Sequence, residues 1–289
     1  MKTLGMIGGV GPESTIDYYK NIIALYRERQ RDGSYPQFVI NSIDLKKGID
    51  FMNANTDGLI VDEMRNSGGN LCFGEDIATR LINYPFQATG FQLRAFWTRV
   101  LTFYNAYVSA RDGGAPPDIV AQYLLAYNAM ATANAALRGL TDPIPLCTST
   151  LSRNPATGAY RKPLMLLIDE FTVSTADSVA NMIQSSFRGP LYGMRTDGAG
   201  GNNTTFDAGP FSEGLAGMTL ALQTRPHPFS IPGYPTSIYI ENVGVRPDIV
   251  SDYMTRDNLL QNGAPFVNSF LAAMAAHVRE RPGRRAIKR

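Results

Sequence analysis

The sequence predicts an α/β fold of layered strands and helices, and three observations carry that prediction. Short apolar runs of strand length, above all residues 164–168, alternate with stretches in which apolar residues recur at helical spacing. Glycine turns mark several of the changes, among them Gly8-Gly9-Val10-Gly11 and Ser67-Gly68-Gly69. With 289 residues, 44% of them hydrophobic and 18% charged, the chain can bury a substantial core.

In chain order, residues 3–7 predict a strand and the loop Gly8, Gly9 and Gly11 a tight turn. A helix then starts at Pro12, with Ile16, Tyr19, Ile23 and Tyr26 on one face, and a second strand covers 38–43. A Leu-Ile-Val strand follows near residue 60 and ends in Gly68 and Gly69. Paired glycines there let the backbone approach a ligand with no Cβ in the way. Between 73 and 143, Phe96, Val100 and Phe103, then Val120, Leu124 and Tyr127, repeat at helical spacing. These predict two helices joined at 113–117, their aromatic faces turned to the core. The run 164–168 predicts a buried strand, and Val173, Ala176, Ile183 and Phe187 a helix after it. Residues 197–214 lack apolar periodicity and predict a mobile loop. Strands at 217–223 and 237–241 and a helix at 261–279 close the chain.

Ser174 sits where the 164–168 strand gives way to its helix. Unpaired N–H groups and the positive end of the helix dipole can stabilise an oxyanion there, with the N–H of Thr175 as first donor. The same pattern also suits a plain cap made by Thr172, Ser174 or Asp177.

The motifs GLIVDEMRNSGGN (58–70), DEFTVSTAD (169–177) and ENVGVRPDI (241–249) together resemble the C-terminal processing, or tail-specific, serine peptidases, a family that includes the tricorn core protease. The resemblance covers about residues 57–280. It implies an α/β/α sandwich of the crotonase and Clp type, Ser174 as acylating nucleophile, and Gly68 and Gly69 with Thr175 as oxyanion donors. Glu241 would be the carboxylate that orients a base or relay, and peptides or unfolded proteins the substrate. No cofactor or metal is implied.

A serine hydroxyl needs a base, and here the sequence departs from its relatives. The family's Ser/Lys dyad takes its lysine from a Thr-x-Gly-Lys-Gly turn, and the matching stretch is Thr196-Asp197-Gly198-Ala199-Gly200. Ala199 stands at the lysine position, and no lysine lies between Lys162 and Lys288. The tricorn-like branch uses a histidine upstream of the Gly-Gly turn, whereas this chain has only His227, expected in a Pro-rich loop, and His277, on the last helix. The loop from 197 should nevertheless border Ser174.

Residues 1–55 are similar instead to the amino terminus of the aspartate/glutamate racemase family, through MKTLGMIGGVGPESTIDYY and QFVINSIDL. Gly8, Gly9 and Gly11 would then form a β-α-β unit's loop able to bind a carboxylate or phosphate. That family's two catalytic cysteines lie in motifs that Cys72 and Cys147 do not match, so amino-acid racemisation is the alternative activity and a non-catalytic peptide-binding remnant a third. The chain thus reads as a composite: 1–55 racemase-like, 56–280 peptidase core, 281–289 a basic tail.

The formal net charge of +2 arises at the C-terminus, where residues 279–289 hold six basic residues and one acidic; no basic patch with interleaved aromatics indicates nucleic acid. Two cysteines form no disulfide framework, although a single bridge is open. No run reaches the length of a membrane span, and the amino terminus lacks the pattern of a signal peptide. The expectation is a cytoplasmic protein, or an exported one if a native signal was lost. A truncated sheet with free edges further predicts a homo-oligomer or aggregation.

Overall fold

The computed structural model describes residues 57–210, 213–230 and 236–279, with the backbone of 4–7 and 38–41 and isolated positions between. The chain divides into two compact units, Met1–Asn55 and Thr56–Arg289. In the first, strands β1 (Leu4–Ile7) and β2 (Phe38–Asn41) pair in parallel, with Leu4 opposite Phe38. The helix expected from Pro12 and the loop of Gly8, Gly9 and Gly11 lie outside the described residues.

The second unit opens with β3 (Leu59–Asp62), α1 (Leu71–Leu81), β4 (Phe86–Gln87) and β5 (Gly90–Leu93), followed by the helices α2 (Trp97–Asp112) and α3 (Pro117–Ala135). Next come β6 (Ser152–Arg153), β7 (Leu164–Ile168), α4 (Thr175–Ser185) and β8 (Leu191–Gly193). The remainder is β9 (Asn203–Asp207), β10 (Leu215–Thr219), β11 (Ala221–Phe229), β12 (Ser237–Tyr239), β13 (Ile249–Val250), α5 (Arg256–Leu260) and α6 (Ala264–Arg279).

Its centre is a parallel sheet in the order β13-β8-β7-β3. Every residue of β7 is buried, as a central parallel strand covered on both faces requires. Met165 and Leu167 pack with Tyr192, Phe266 and Met274, which seats α6 on one face. The alternate residues Leu164, Leu166 and Ile168 face the other way, where α4 packs through its buried Ala176, Val179, Ala180 and Ile183. Each buried Leu, Ile, Val, Met or Phe among them contributes about 1.5–3 kcal/mol, so the sheet between these helices is where stability concentrates. The mixed α/β architecture follows the expectation.

A second layer is antiparallel, in the order β12-β11-β5. The hairpin of α2 and α3 lies on it, with Phe91, Leu93, Val100, Ala126, Met130, Ile144 and Ala221 as its core. Pro117 occupies the first turn of α3, where a missing N–H costs nothing. The aromatic stripe of α2 is only partly inside: Val100 is buried, yet Trp97 is 62% exposed and lines an open cleft of about 290 Å³ with Leu101 and Tyr104.

Four sequence expectations need correction. Residues 203–207 and 215–219 form a hairpin, β9 with β10, rather than an unstructured loop. Its register is regular, but every residue of β9 is exposed, so no apolar alternation marked it. The strand expected at 217–223 is two strands, broken at Leu220. His227 lies exposed on β11, not in a loop; Pro226 and Pro228 are tolerated because β11 pairs with β5 only through 221–224. Phe187 does not extend the apolar face of α4: it follows the helix with φ +56° and is 90% exposed.

Candidate active site

Strands β3 and β7 are parallel neighbours, so the turns leaving their C-terminal ends lie side by side. In open parallel sheets, that edge is where ligands bind. The two turns are stitched together. Arg65 N–H donates to Asp169 Oδ1 at 2.9 Å, Thr172 Oγ1 to the Glu63 carbonyl at 2.9 Å, and Val173 N–H to the Asn66 carbonyl at 2.9 Å. Thr175 Oγ1 closes the row by donating to the Gly69 carbonyl at 2.8 Å.

Ser174 stands at the end of this row as the N-cap of α4, one residue before the first helical turn. The cap reading is thus geometrically correct, but the backbone is not that of an ordinary cap. Ser174 has φ +63° and ψ −117°, a region that costs a non-glycine residue about 1–3 kcal/mol and persists only where the surroundings impose it. The imposition is visible. Ser174 N–H donates to Asp177 Oδ2 at 2.7 Å, the reach-back of an N3 carboxylate.

Gly68 packs directly against this elbow. A Cβ at Gly68, whose φ is +90°, would lie 2.7 Å from Ser174 Cβ, 2.7 Å from the Val173 carbonyl oxygen and 2.8 Å from Thr175 N. Gly69 has φ +151° and open space beside it. Gly68, expected as an oxyanion donor, is not one, because its N–H donates to Asn66 Oδ1 at 3.0 Å; among the described residues, the N–H groups of Gly69 and Thr175 have no hydrogen-bond acceptor. Two free N–H groups on adjacent turns beside a serine can receive a developing oxyanion.

Asp177 ties the elbow to the segment that begins at Thr196. It is fully buried and accepts from Thr196 Oγ1 and from Gly198 N–H at 3.1 Å, besides Ser174. Burial pushes its carboxyl up from the ordinary value, against the lowering effect of those donors. Thr196 Oγ1 in turn accepts from Val245 N–H at 2.7 Å, and Asn242 N–H donates to the Gly198 carbonyl at 2.7 Å. The segment therefore runs between Ser174 and the turn that carries Glu241.

Glu241 is half-buried. Desolvation raises its pKa, the nearby backbone of Gln223, Gly201 and Gly200 opposes the rise, and its Oε2 is buried with no hydrogen-bond partner. It lines a cleft of about 330 Å³ with Leu222, Ser237, Tyr239 and Asn242. Beneath the elbow, Glu63 is buried with Oε2 unpartnered. Desolvation first, then Asp177 and Asp62, push its carboxyl up to about 8.

The structure thus brings Ser174, Gly68, Gly69 and Thr175 together and reaches Glu241 through Asp177, Thr196 and Gln223. Gly8, Gly9 and Gly11 are not described. Asp177 carried a sequence signal, an acidic residue three after a cap serine, and Asn66 and Thr196 lay inside the motifs without a role of their own; Gln223 carried none, because only the fold brings it to the elbow. No histidine or lysine among the described residues hydrogen-bonds Ser174. Cys72 and Cys147 form a disulfide, so neither is a free thiol for racemase chemistry. Among the described residues, no cluster could hold a metal ion and no helix is long and apolar enough to cross a membrane.

Comparison with known proteins places the chain in a family. The family model described as Peptidase family S41 matches residues 34–251, which includes part of the segment likened above to racemases. A protein of Chlamydia trachomatis is 26% identical over 237 residues, covering 74% of this chain and 37% of its own length. A protein of Chlamydia pneumoniae is 27% identical, covering 72% and 35%. The chain therefore spans little more than a third of the curated relatives it matches. The crystal structure of mature CPAF superposes with a TM-score of 0.67 at 20% identity, over 82% of this chain and 47% of that one. The complex of mature CPAF with lactacystin gives 0.65 over 81% and 47%. At these identities, the superpositions show a shared fold.

Proposed function

The chain belongs to Peptidase family S41, and on that footing we propose that it is the core of a serine peptidase that cleaves peptide bonds through an acyl-enzyme on Ser174. The observation that carries the reading is the elbow itself: a serine held at φ +63° against Gly68, beside two unpaired N–H groups. The Ser174 hydroxyl would attack the scissile carbonyl, and the oxyanion would be received by the N–H groups of Gly69 and Thr175. Glu241, reached through the 196–201 segment, is the carboxylate that orients the base.

That base is not among the described neighbours of Ser174, because Ala199 stands where the dyad lysine would be and His227 is exposed on β11. Substrates would be peptides or unfolded protein segments held along the Glu241 cleft. A solvent-exposed Cys72 paired with Cys147 supports an oxidising, extracytoplasmic setting over the cytoplasmic one. The exposed Trp97, Leu101 and Tyr104 are the surface on which we expect self-association; a monomer by size-exclusion chromatography at micromolar concentration would remove that part.

The test is covalent labelling by a fluorophosphonate, followed by peptide mass spectrometry, in the wild type and in Ser174→Ala. Lactacystin, which CPAF binds, is the second probe. Label on Ser174 alone, lost in the variant, is the expected result. A folded protein that takes up neither probe, yet binds unfolded peptide equally well in both forms, would replace the peptidase by a peptide-binding remnant.

A further inference from the structure

The strain at Ser174 needs a restraint on each side of the residue, and Asp177 supplies only one. It fixes the N–H side. The carbonyl side is held from β11, 49 residues away in sequence. Gln223 Nε2 donates to the Ser174 carbonyl at 3.2 Å and to Ser178 Oγ at 2.8 Å. The same carbonyl also accepts the first helical bond of α4, from Ser178 N–H at 3.2 Å.

Gln223 is only 1% exposed, and its orientation is fixed by its partners, since a carbonyl oxygen can accept only from the NH2 end of the amide. Gly200 lies flat on that amide: a Cβ there would come within 2.3 Å of Gln223 Oε1. The main-chain carbonyl of Gln223 accepts from Ile240 N–H at 3.0 Å, one residue before Glu241. Gln223 therefore holds the nucleophile's carbonyl through its side chain and, through its main chain, the segment that carries Glu241. Its Oε1 is buried with no partner, so the side chain is held through its NH2 end.

We propose that Gln223 is a positioning residue of the peptidase reaction, the half of a two-sided clamp that holds Ser174 in its reactive backbone conformation and couples it to Glu241. The proposal rests on the reading of Ser174 as nucleophile but predicts a structural consequence that is measurable without turnover. Asp177 clamps the N–H, Gln223 clamps the C=O, and loss of either lets Ser174 relax toward an ordinary cap. Gln223 itself touches no substrate and exchanges no proton.

Two variants test it. Gln223→Leu keeps the volume and removes the donor; Gln223→Glu keeps the shape but sets a carboxylate against the Ser174 carbonyl, able to donate only when protonated. Fluorophosphonate labelling of Ser174 should slow roughly tenfold in Gln223→Leu, the factor that corresponds to one lost hydrogen bond. In Gln223→Glu it should be slow at alkaline pH and recover as the pH falls toward the carboxylate range. A wild-type rate that is flat over the same interval would assign this recovery to the new carboxyl.

Hydrogen exchange read by mass spectrometry is the second readout. Peptides over 172–178 should exchange faster in Gln223→Leu while those over β3 and β7 keep wild-type rates. Unchanged exchange at 172–178 in a folded Gln223→Leu protein would overturn the clamp, as would a Gln223→Glu rate with no pH dependence. If the wild type takes no label at all, the peptidase reading fails by itself, and exchange at 172–178 still decides the clamp.

Discussion

Two helices begin at the candidate site, and they begin differently. At α1, Asn70 caps with extended backbone, φ −74° and ψ +117°, and its side-chain oxygen accepts from Phe73 N–H at 3.1 Å. This is an ordinary N-cap. At α4, Ser174 is turned to φ +63°, and the helix is closed by the reverse contact, from Ser174 N–H to the Asp177 carboxylate. One cap relaxes into a favourable well and the other is held out of it by neighbours. The difference separates a residue that serves its helix from one that the helix and its surroundings serve. It also gives that distinction a measurable form, since the two caps should respond oppositely to substitution.

The largest expected effect comes from the residue that keeps the two turns in contact. Gly68→Ala would place a methyl group 2.7 Å from Ser174 Cβ at a backbone angle of +90°, with both neighbouring contacts made by backbone atoms that cannot yield. Overpacking and left-handed strain together predict a loss of about 2–5 kcal/mol and no labelling of Ser174 in whatever remains folded. Chemical denaturation with a labelling assay on the same samples checks both. A well-folded, fully labelled variant would show that the turns are not packed as described.

Next in size is the bridge just beyond the first turn. Cys72 is the second residue of α1, and its disulfide with Cys147 closes a loop across 75 positions. Replacing both cysteines by serine should cost about 2–4 kcal/mol, read as a lowered Tm that dithiothreitol no longer affects. Glu63 follows, and its effect depends on pH. Its folded value of about 8 lies above the ordinary 4.5, so the native state keeps a proton that the unfolded chain releases. The stability this contributes is present below 4.5 and is lost as the pH rises through about 8. Glu63→Gln, which stays neutral, should match the wild type in acid and exceed it by on the order of a few kcal/mol above pH 8. Parallel stability curves at every pH would place Glu63 outside the buried cluster.

Much of the fold was legible because the physics that made it is local. The buried strand 164–168, the helices around Val100 and Leu124 and the turn between them follow from periodicity and from Gly and Pro chemistry. The hairpin β9–β10 was not legible, because a strand with both faces in water has no reason to alternate. The same division runs through the site. Ser174, Gly68, Gly69 and Thr175 announce themselves at the ends of strands, and the motif resemblance singled out Glu241. Gln223 does not, because it is chosen by a partner that only the folded chain brings near, and Thr196 stood in its motif without a hint that its hydroxyl meets Asp177. The strain at Ser174 is invisible in sequence for the same reason: serine is a common cap, and nothing in its neighbours reveals the sign of φ.

The smallest predicted effects return to the two caps and decide what they are. Asn70→Ala removes a normal cap bond and should cost about 1 kcal/mol of stability, with labelling of Ser174 unchanged. Ser174→Gly removes a side chain from a residue at φ +63°, where glycine is unstrained, so it should stabilise by about 1 kcal/mol while abolishing label. Thermal melts of both variants beside the wild type make the comparison directly. Opposite signs would mean that stability is given up at Ser174 to hold a reactive geometry. A loss in both would mean that α4 uses its serine as α1 uses its asparagine, and the elbow would then be a cap with an unusual backbone and no further purpose.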